Sequence, residues 1–180
     1  MIVIRLKYGT IVSLLVGFLY FNLMKETIYL ETTIISYYTS RPSNDIIVLA
    51  KQRITDLWWN NNLPKFEAYI SETVIEEISE GDADAATKRL SLASDIPLLE
   101  ITDDVHKVYK IYMQRLQIPE KALRDAIHIA IASVHSVDYL VTWNCKHIAN
   151  GEIIKKLMGI NIELGLSIPV IVTPEELMEV

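Results

Sequence analysis

Asp125 stands in D125-A-I-H-I-A-I-A-S-V-H135, a segment that is apolar on nearly every side of a helical wheel. At 3.6 residues per turn it neighbours Ala122, Ile129 and Ala132, while Leu123, Ile127 and Val134 lie opposite. A helix apolar all round is usually buried, and a buried carboxylate is costly unless paired, hydrogen-bonded or bound to a metal. Asp125 therefore either caps a local segment or pairs with Arg124 or His128, or else meets other acids around a cation.

Two other acids are candidates for that meeting. Glu31 follows the β-branched and aromatic run T27-I-Y-L, and on its own it reads equally well as a loop glutamate. In E72-T-V-I-E-E-I-S-E80 the glutamates Glu72, Glu76 and Glu80 form one solvent-facing stripe. Glu77 is rotated about 100° from that stripe, towards Val74 and Ile78, at the border of the buried side. His128 reads more simply as a satisfied structural group than as a ligand. Asn144 offers a neutral oxygen, a poorer metal ligand than a carboxylate. His147 has three readings: coordination, phosphate binding or capping. Several acids without cysteine partners suit hard cations, Mg²⁺ or Mn²⁺, which prefer oxygen ligands and promote phosphoryl displacement through an activated water. Phosphate-cradling glycine loops, G-x-S-x-G and H-E-x-x-H are all absent from the sequence.

Carboxylates this far apart in sequence need a scaffold. The pattern predicts strands at Thr27–Glu31, Phe66–Ile70, Ile96–Ile101, Tyr139–Thr142 and Pro169–Thr173. Helical spacing is predicted over Ile46–Trp59, over Glu72–Glu80 with Ser71 as N-cap and Gly81 as stop, and over Asp84–Ala93. Further helices are expected from Thr102 or Asp103 to Leu116, from Pro119 through the Asp125 segment, and after Gly151. Strands separated by helices imply an α/β fold with a mainly parallel sheet, whose ligand crevice lies beyond the carboxyl ends of the strands. Glu31 and the Thr142–Asn144 segment are both expected to face it.

Bulk properties narrow the class. The 180 residues suit one domain, and a hydrophobic share of 51% with 22% charged residues describes a globular chain. A net charge of −6 argues against coating nucleic acid by charge alone, but not against cleaving it with a bound cation. The single Cys145 excludes a disulfide framework and fits a cytoplasmic location. Residues 1–24 stand apart: Arg5 and Lys7 precede the mostly apolar run Ile11–Met24. At about 1.5 Å per residue that run covers roughly 21 Å, short of the ~30 Å hydrocarbon layer. It reads first as sequence upstream of a true start at Met24, then as a snorkelling anchor or a signal core, so membrane contact is expected only if it is expressed.

Four stretches together, Y29-L-E-T-T-I-I-S36, S71-E-T-V-I-E-E-I78, D125-A-I-H-I-A130 and L140-V-T-W-N144, resemble the PIN-domain family. The similarity is to the VapC-type toxin ribonucleases of prokaryotic toxin–antitoxin pairs, and it spans about residues 25–178. It implies a PIN-like three-layer sandwich over residues 25–180 and a Mg²⁺- or Mn²⁺-dependent endoribonuclease. Under it Glu31, Glu77 and Asp125 are the metal ligands, with Asn144 as a fourth catalytic position where an aspartate is usual. Thr142, His128 and His147 orient these groups or the substrate; apart from the resemblance, Lys146, Arg124 and Arg41 are candidates to steer the phosphate backbone, or else ordinary surface charge. RNA as substrate, a small antitoxin partner and a homodimer are implied as well. Two departures matter: Glu31 is one methylene longer than the aspartate expected there, and Asn144 removes a charge. The alternative is a catalytically silent PIN fold that binds RNA or protein.

Overall fold

The computed structural model describes residues 25–178, so the expectations for residues 1–24 lie outside the described residues. Five strands form one parallel sheet in the order β3-β2-β1-β4-β5: β1 Thr27–Leu30, β2 Glu67–Ser71, β3 Leu98–Leu99, β4 Tyr139–Val141 and β5 Val170–Val172. Helices α1 Thr32–Thr39, α2 Ile46–Asn61, α3 Glu72–Ser79, α4 Ala83–Ala93, α5 Asp103–Arg115, α6 Leu123–Val134 and α7 Gly151–Leu164 join and cover them. The α/β class and the parallel sheet match the sequence pattern. Among the described residues no helix is long and apolar enough to cross a membrane.

Central strands of a parallel sheet are covered on both faces, which is why Ile28, Tyr29 and Leu30 are all fully buried. Burying one such Ile or Leu contributes about 1.5–3 kcal/mol. On α6 Ala126, Ile129, Ala130, Ile131 and Ala132 join the same core on most sides of the helix, while Leu123 remains partly exposed. Helices α5 and α6 pack along one another.

The strand order fixes where a site can form. The chain runs outward from β1 through β2 to β3, then returns to place β4 on the other side of β1. That reversal opens a crevice at the carboxyl ends of β1 and β4. Leu30 pairs with Val141 there, so the next residues, Glu31 and Thr142, leave the sheet side by side.

Three local outcomes differ from the sequence pattern. Helix α1 forms despite Thr32, Thr33, Ile34 and Ile35, a β-branched run with weak helix propensity. Its N-cap is Glu31, whose side chain accepts from the Thr33 amide, and burial of Ile34 and Ile35 overrides propensity. Ser71 occupies the N-cap position of α3, yet its side chain makes no capping bond. The strand expected over residues 96–101 shrinks to Leu98–Leu99 at the sheet edge.

Candidate active site

Glu31 is 4% exposed, and its hydrogen bonds converge on a single oxygen. Oε2 accepts from the Thr33 amide at 3.1 Å, the Thr33 hydroxyl at 2.5 Å and the Thr142 hydroxyl at 2.7 Å. Oε1 takes none of these three bonds and remains to meet another group. Burial pushes the Glu31 carboxyl above its ordinary range, against the opposing influence of His128 and these hydrogen bonds. A carboxylate so placed gains from a cation beside it.

Glu77 arrives from α3 on the border face predicted for it, with Glu72, Glu76 and Glu80 exposed. Its Oε2 accepts from the Thr32 hydroxyl and lies 2.9 Å from His128 Nε2. Arg124 Nη1 stands 3.9 Å from Oε1, while the same guanidinium bonds Glu80 at 2.6 Å. Burial alone would raise the Glu77 carboxyl, but the His128 and Thr32 bonds and the nearby Arg124 together hold it below its ordinary range. The two glutamates thus differ in character: one lacks a formal cation as hydrogen-bond partner, the other is already well compensated.

Donor atoms of Glu31, Glu77 and His128 all lie within 4.8 Å of one another. Hard carboxylate oxygens with one imidazole fit a divalent cation such as Mg²⁺ or Mn²⁺. His128 is fully buried and also touches the Tyr29 hydroxyl through Nδ1, at 2.8 Å.

Asp125 is half-buried one turn before His128 and pairs with neither Arg124 nor His128. Its Oδ1 accepts from Asn144 Nδ2 at 3.0 Å, and Oδ2 lies 2.9 Å from His147 Nδ1. The Asn144 carbonyl is used elsewhere: Oδ1 accepts the backbone N–H groups of Lys146 and His147, at 3.3 and 3.1 Å, as in an Asx-type turn. That arrangement turns the Asn144 amide nitrogen, rather than its oxygen, towards Asp125. The Asn144 backbone N–H donates to the Thr142 hydroxyl at 2.8 Å, linking Asp125 through Asn144 and Thr142 to Glu31 in one network.

Trp143 anchors this loop. Its backbone N–H donates to Thr33 Oγ1 at 2.8 Å, and its indole N–H to Thr55 Oγ1 at 2.7 Å. The candidate steering residues Lys146 and Arg41 are exposed. Sequence reasoning overlooked Thr32, Thr33 and Tyr29 as site residues. The threonines sit in an unassigned stretch, and Tyr29 reads as an ordinary core aromatic. A buried tyrosine hydroxyl needs a partner, and that was the available signal.

No family model and no curated protein matches the sequence. Among solved structures, the crystal structure of VapBC2 from Rickettsia felis bound to a DNA fragment from their promoter is similar over 82% of this chain and 98% of that chain. The identity is 14% and the TM-score 0.49.

Proposed function

We propose that this chain is a divalent-metal-dependent endoribonuclease of PIN-domain type that hydrolyses RNA phosphodiester bonds. The observation that carries the reading is the convergence of Glu31 and Glu77, from separate segments, within 4.8 Å of each other and of His128. It lies beside the β1–β4 crevice, where a sheet of this order binds ligands. Glu31 and Glu77 would hold the ion; by the sequence resemblance Asp125 would join them, although its oxygens lie outside that donor cluster and are met by Asn144 and His147. When bound, such an ion supplies Lewis-acid stabilisation of phosphoryl oxygens and acidifies a water to make the nucleophile.

The chain's own residues do the positioning. Thr33 and Thr142 fix Glu31 Oε2, which leaves Oε1 clear of these bonds. Thr32 and His128 fix Glu77. Asn144 and His147 orient Asp125. Lys146, exposed on the same loop, contributes charge for the RNA backbone. By its sequence resemblance the chain is the toxin of a toxin–antitoxin pair, held by a small antitoxin and assembling as a homodimer.

A second reading, a catalytically silent fold that binds RNA or protein, is favoured by one observation: both Asp125 oxygens are engaged by neighbouring side chains, one of them the neutral Asn144. Incubating the full chain with mixed RNAs, in Mn²⁺ or in EDTA, separates the two. Cleavage that requires Mn²⁺ and disappears in Asp125→Ala and Glu77→Gln supports the nuclease. Binding of RNA without cleavage in either buffer supports the silent fold. Equal cleavage by parent and variants overturns the site.

A further inference from the structure

A chain of polar groups runs through the apolar core behind Glu77. Ser71 Oγ lies 2.7 Å from the Tyr29 hydroxyl, which lies 2.8 Å from His128 Nδ1, and His128 Nε2 lies 2.9 Å from Glu77 Oε2. Ser71, Tyr29 and His128 are each fully buried, on β2, β1 and α6. Ser71 forgoes the capping bond its position offers and is spent on this chain instead. Polar groups in a core are costly unless each donor has an acceptor.

That accounting gives the chain a direction. A neutral imidazole carries one N–H, and an ionised carboxylate only accepts. With the proton on Nε2, His128 donates to Glu77, Tyr29 donates to Nδ1, and Ser71 donates to Tyr29. Each of the three links then has one donor and one acceptor. With the proton on Nδ1, the Nε2 lone pair would face a Glu77 oxygen lone pair at 2.9 Å, a repulsive contact in the metal-free chain. Tyr29 stays a neutral donor, because burial pushes its phenol far above the ordinary range.

We infer that Tyr29 is a positioning residue that fixes His128 as its Nε2–H tautomer, so that the imidazole aims Glu77 at the ion and is not itself a ligand. The inference rests on the metal-site reading given above. It leaves an all-oxygen ligand set, the kind that suits Mg²⁺ or Mn²⁺ rather than zinc.

Long-range ¹H–¹⁵N correlation spectra of the full chain, labelled at histidine, read the tautomer directly. His128 is assigned by substituting the other three histidines one at a time. The expected result is the Nε2–H form at neutral pH, retained when Mg²⁺ is added to saturation. Tyr29→Phe is expected to shift the His128 ring resonances and weaken Mg²⁺ binding about 10-fold, within the range for losing a partner behind a ligand. Ser71→Ala, a smaller change, is expected to move the same resonances should Tyr29→Phe fail to fold. An Nδ1–H form or an imidazolium in the parent overturns the inference, as does loss of the Nε2 proton on adding Mg²⁺. If the Nε2–H form is present but Mg²⁺ does not bind, the metal reading falls and the positioning role falls with it. If Mg²⁺ binds with the wrong tautomer, the relay alone falls.

Discussion

Thr142 and Glu31 meet where the strand order of the sheet reverses, and the Thr142 hydroxyl donates to Glu31 Oε2 at 2.7 Å. The same hydroxyl accepts from the Asn144 backbone N–H at 2.8 Å. One buried side chain therefore holds an acid from the start of the domain and the loop that supports Asp125. Thr142→Val keeps the shape and removes both bonds. Cleavage of RNA in Mn²⁺ is expected to fall about 10–100-fold, as when a partner of a metal ligand is lost. An unchanged rate, measured with the variant folded by circular dichroism, would show that this link does not matter to the reaction.

Glu31→Gln trades stability against metal binding. The parent buries a carboxyl that burial drives above its ordinary range, so without metal its ionisation costs stability near neutral pH. The amide is expected to raise metal-free stability by about 1 kcal/mol, a typical gain when a functional strain is relieved. Saturating Mn²⁺ should then stabilise the parent, by about 2.7 kcal/mol at a hundred times Kd, and leave the variant unmoved. Thermal melts with and without Mn²⁺ measure both effects.

The two glutamates act on opposite sides of the ordinary carboxylate value of 4.5. Glu77 is held below it, so its stabilisation is present above that value and is lost as pH falls through the depressed one. Glu31 is raised above it, so the folded state is favoured below 4.5 and loses ground as pH rises through the raised value. Denaturation of the metal-free chain across pH should therefore show two separable slopes. Glu77→Gln is expected to flatten the acid one, and Glu31→Gln the one above 4.5. A single slope abolished by either substitution would contradict this assignment.

Asn144→Asp replaces a donor with an acceptor beside Asp125 Oδ1, which the parent amide meets at 3.0 Å. Two carboxylates at that distance repel, so the metal-free variant should melt lower, by a cost of about 1 kcal/mol or more. A divalent ion relieves the repulsion, so Mg²⁺ affinity should rise above that of the parent. Calorimetric titration checks this, and equal affinity in both proteins would mean that position 144 contributes nothing to the ion.

Much of this was legible in one dimension. Strand and helix order, α1 apart, followed from hydrophobic periodicity, and that order implied a parallel sheet with a crevice at its carboxyl ends. Glu77 separated from Glu76 on helical phase alone. What the sequence could not specify were partners set by three-dimensional closure. Asp125 was open to Arg124 or His128 as neighbours along a helix, whereas the fold gives it Asn144 and His147 from the loop after β4. Ser71 carries the sequence signature of a cap, yet β1 presents it with the Tyr29 hydroxyl inside the core. Helix α1 runs against its own propensities because the core rewards burial of Ile34 and Ile35 more than β-branching costs. Sequence determines which faces are apolar, since periodicity is local. Only packing decides which polar groups meet inside, because each must find its partner across segments that the chain itself keeps far apart.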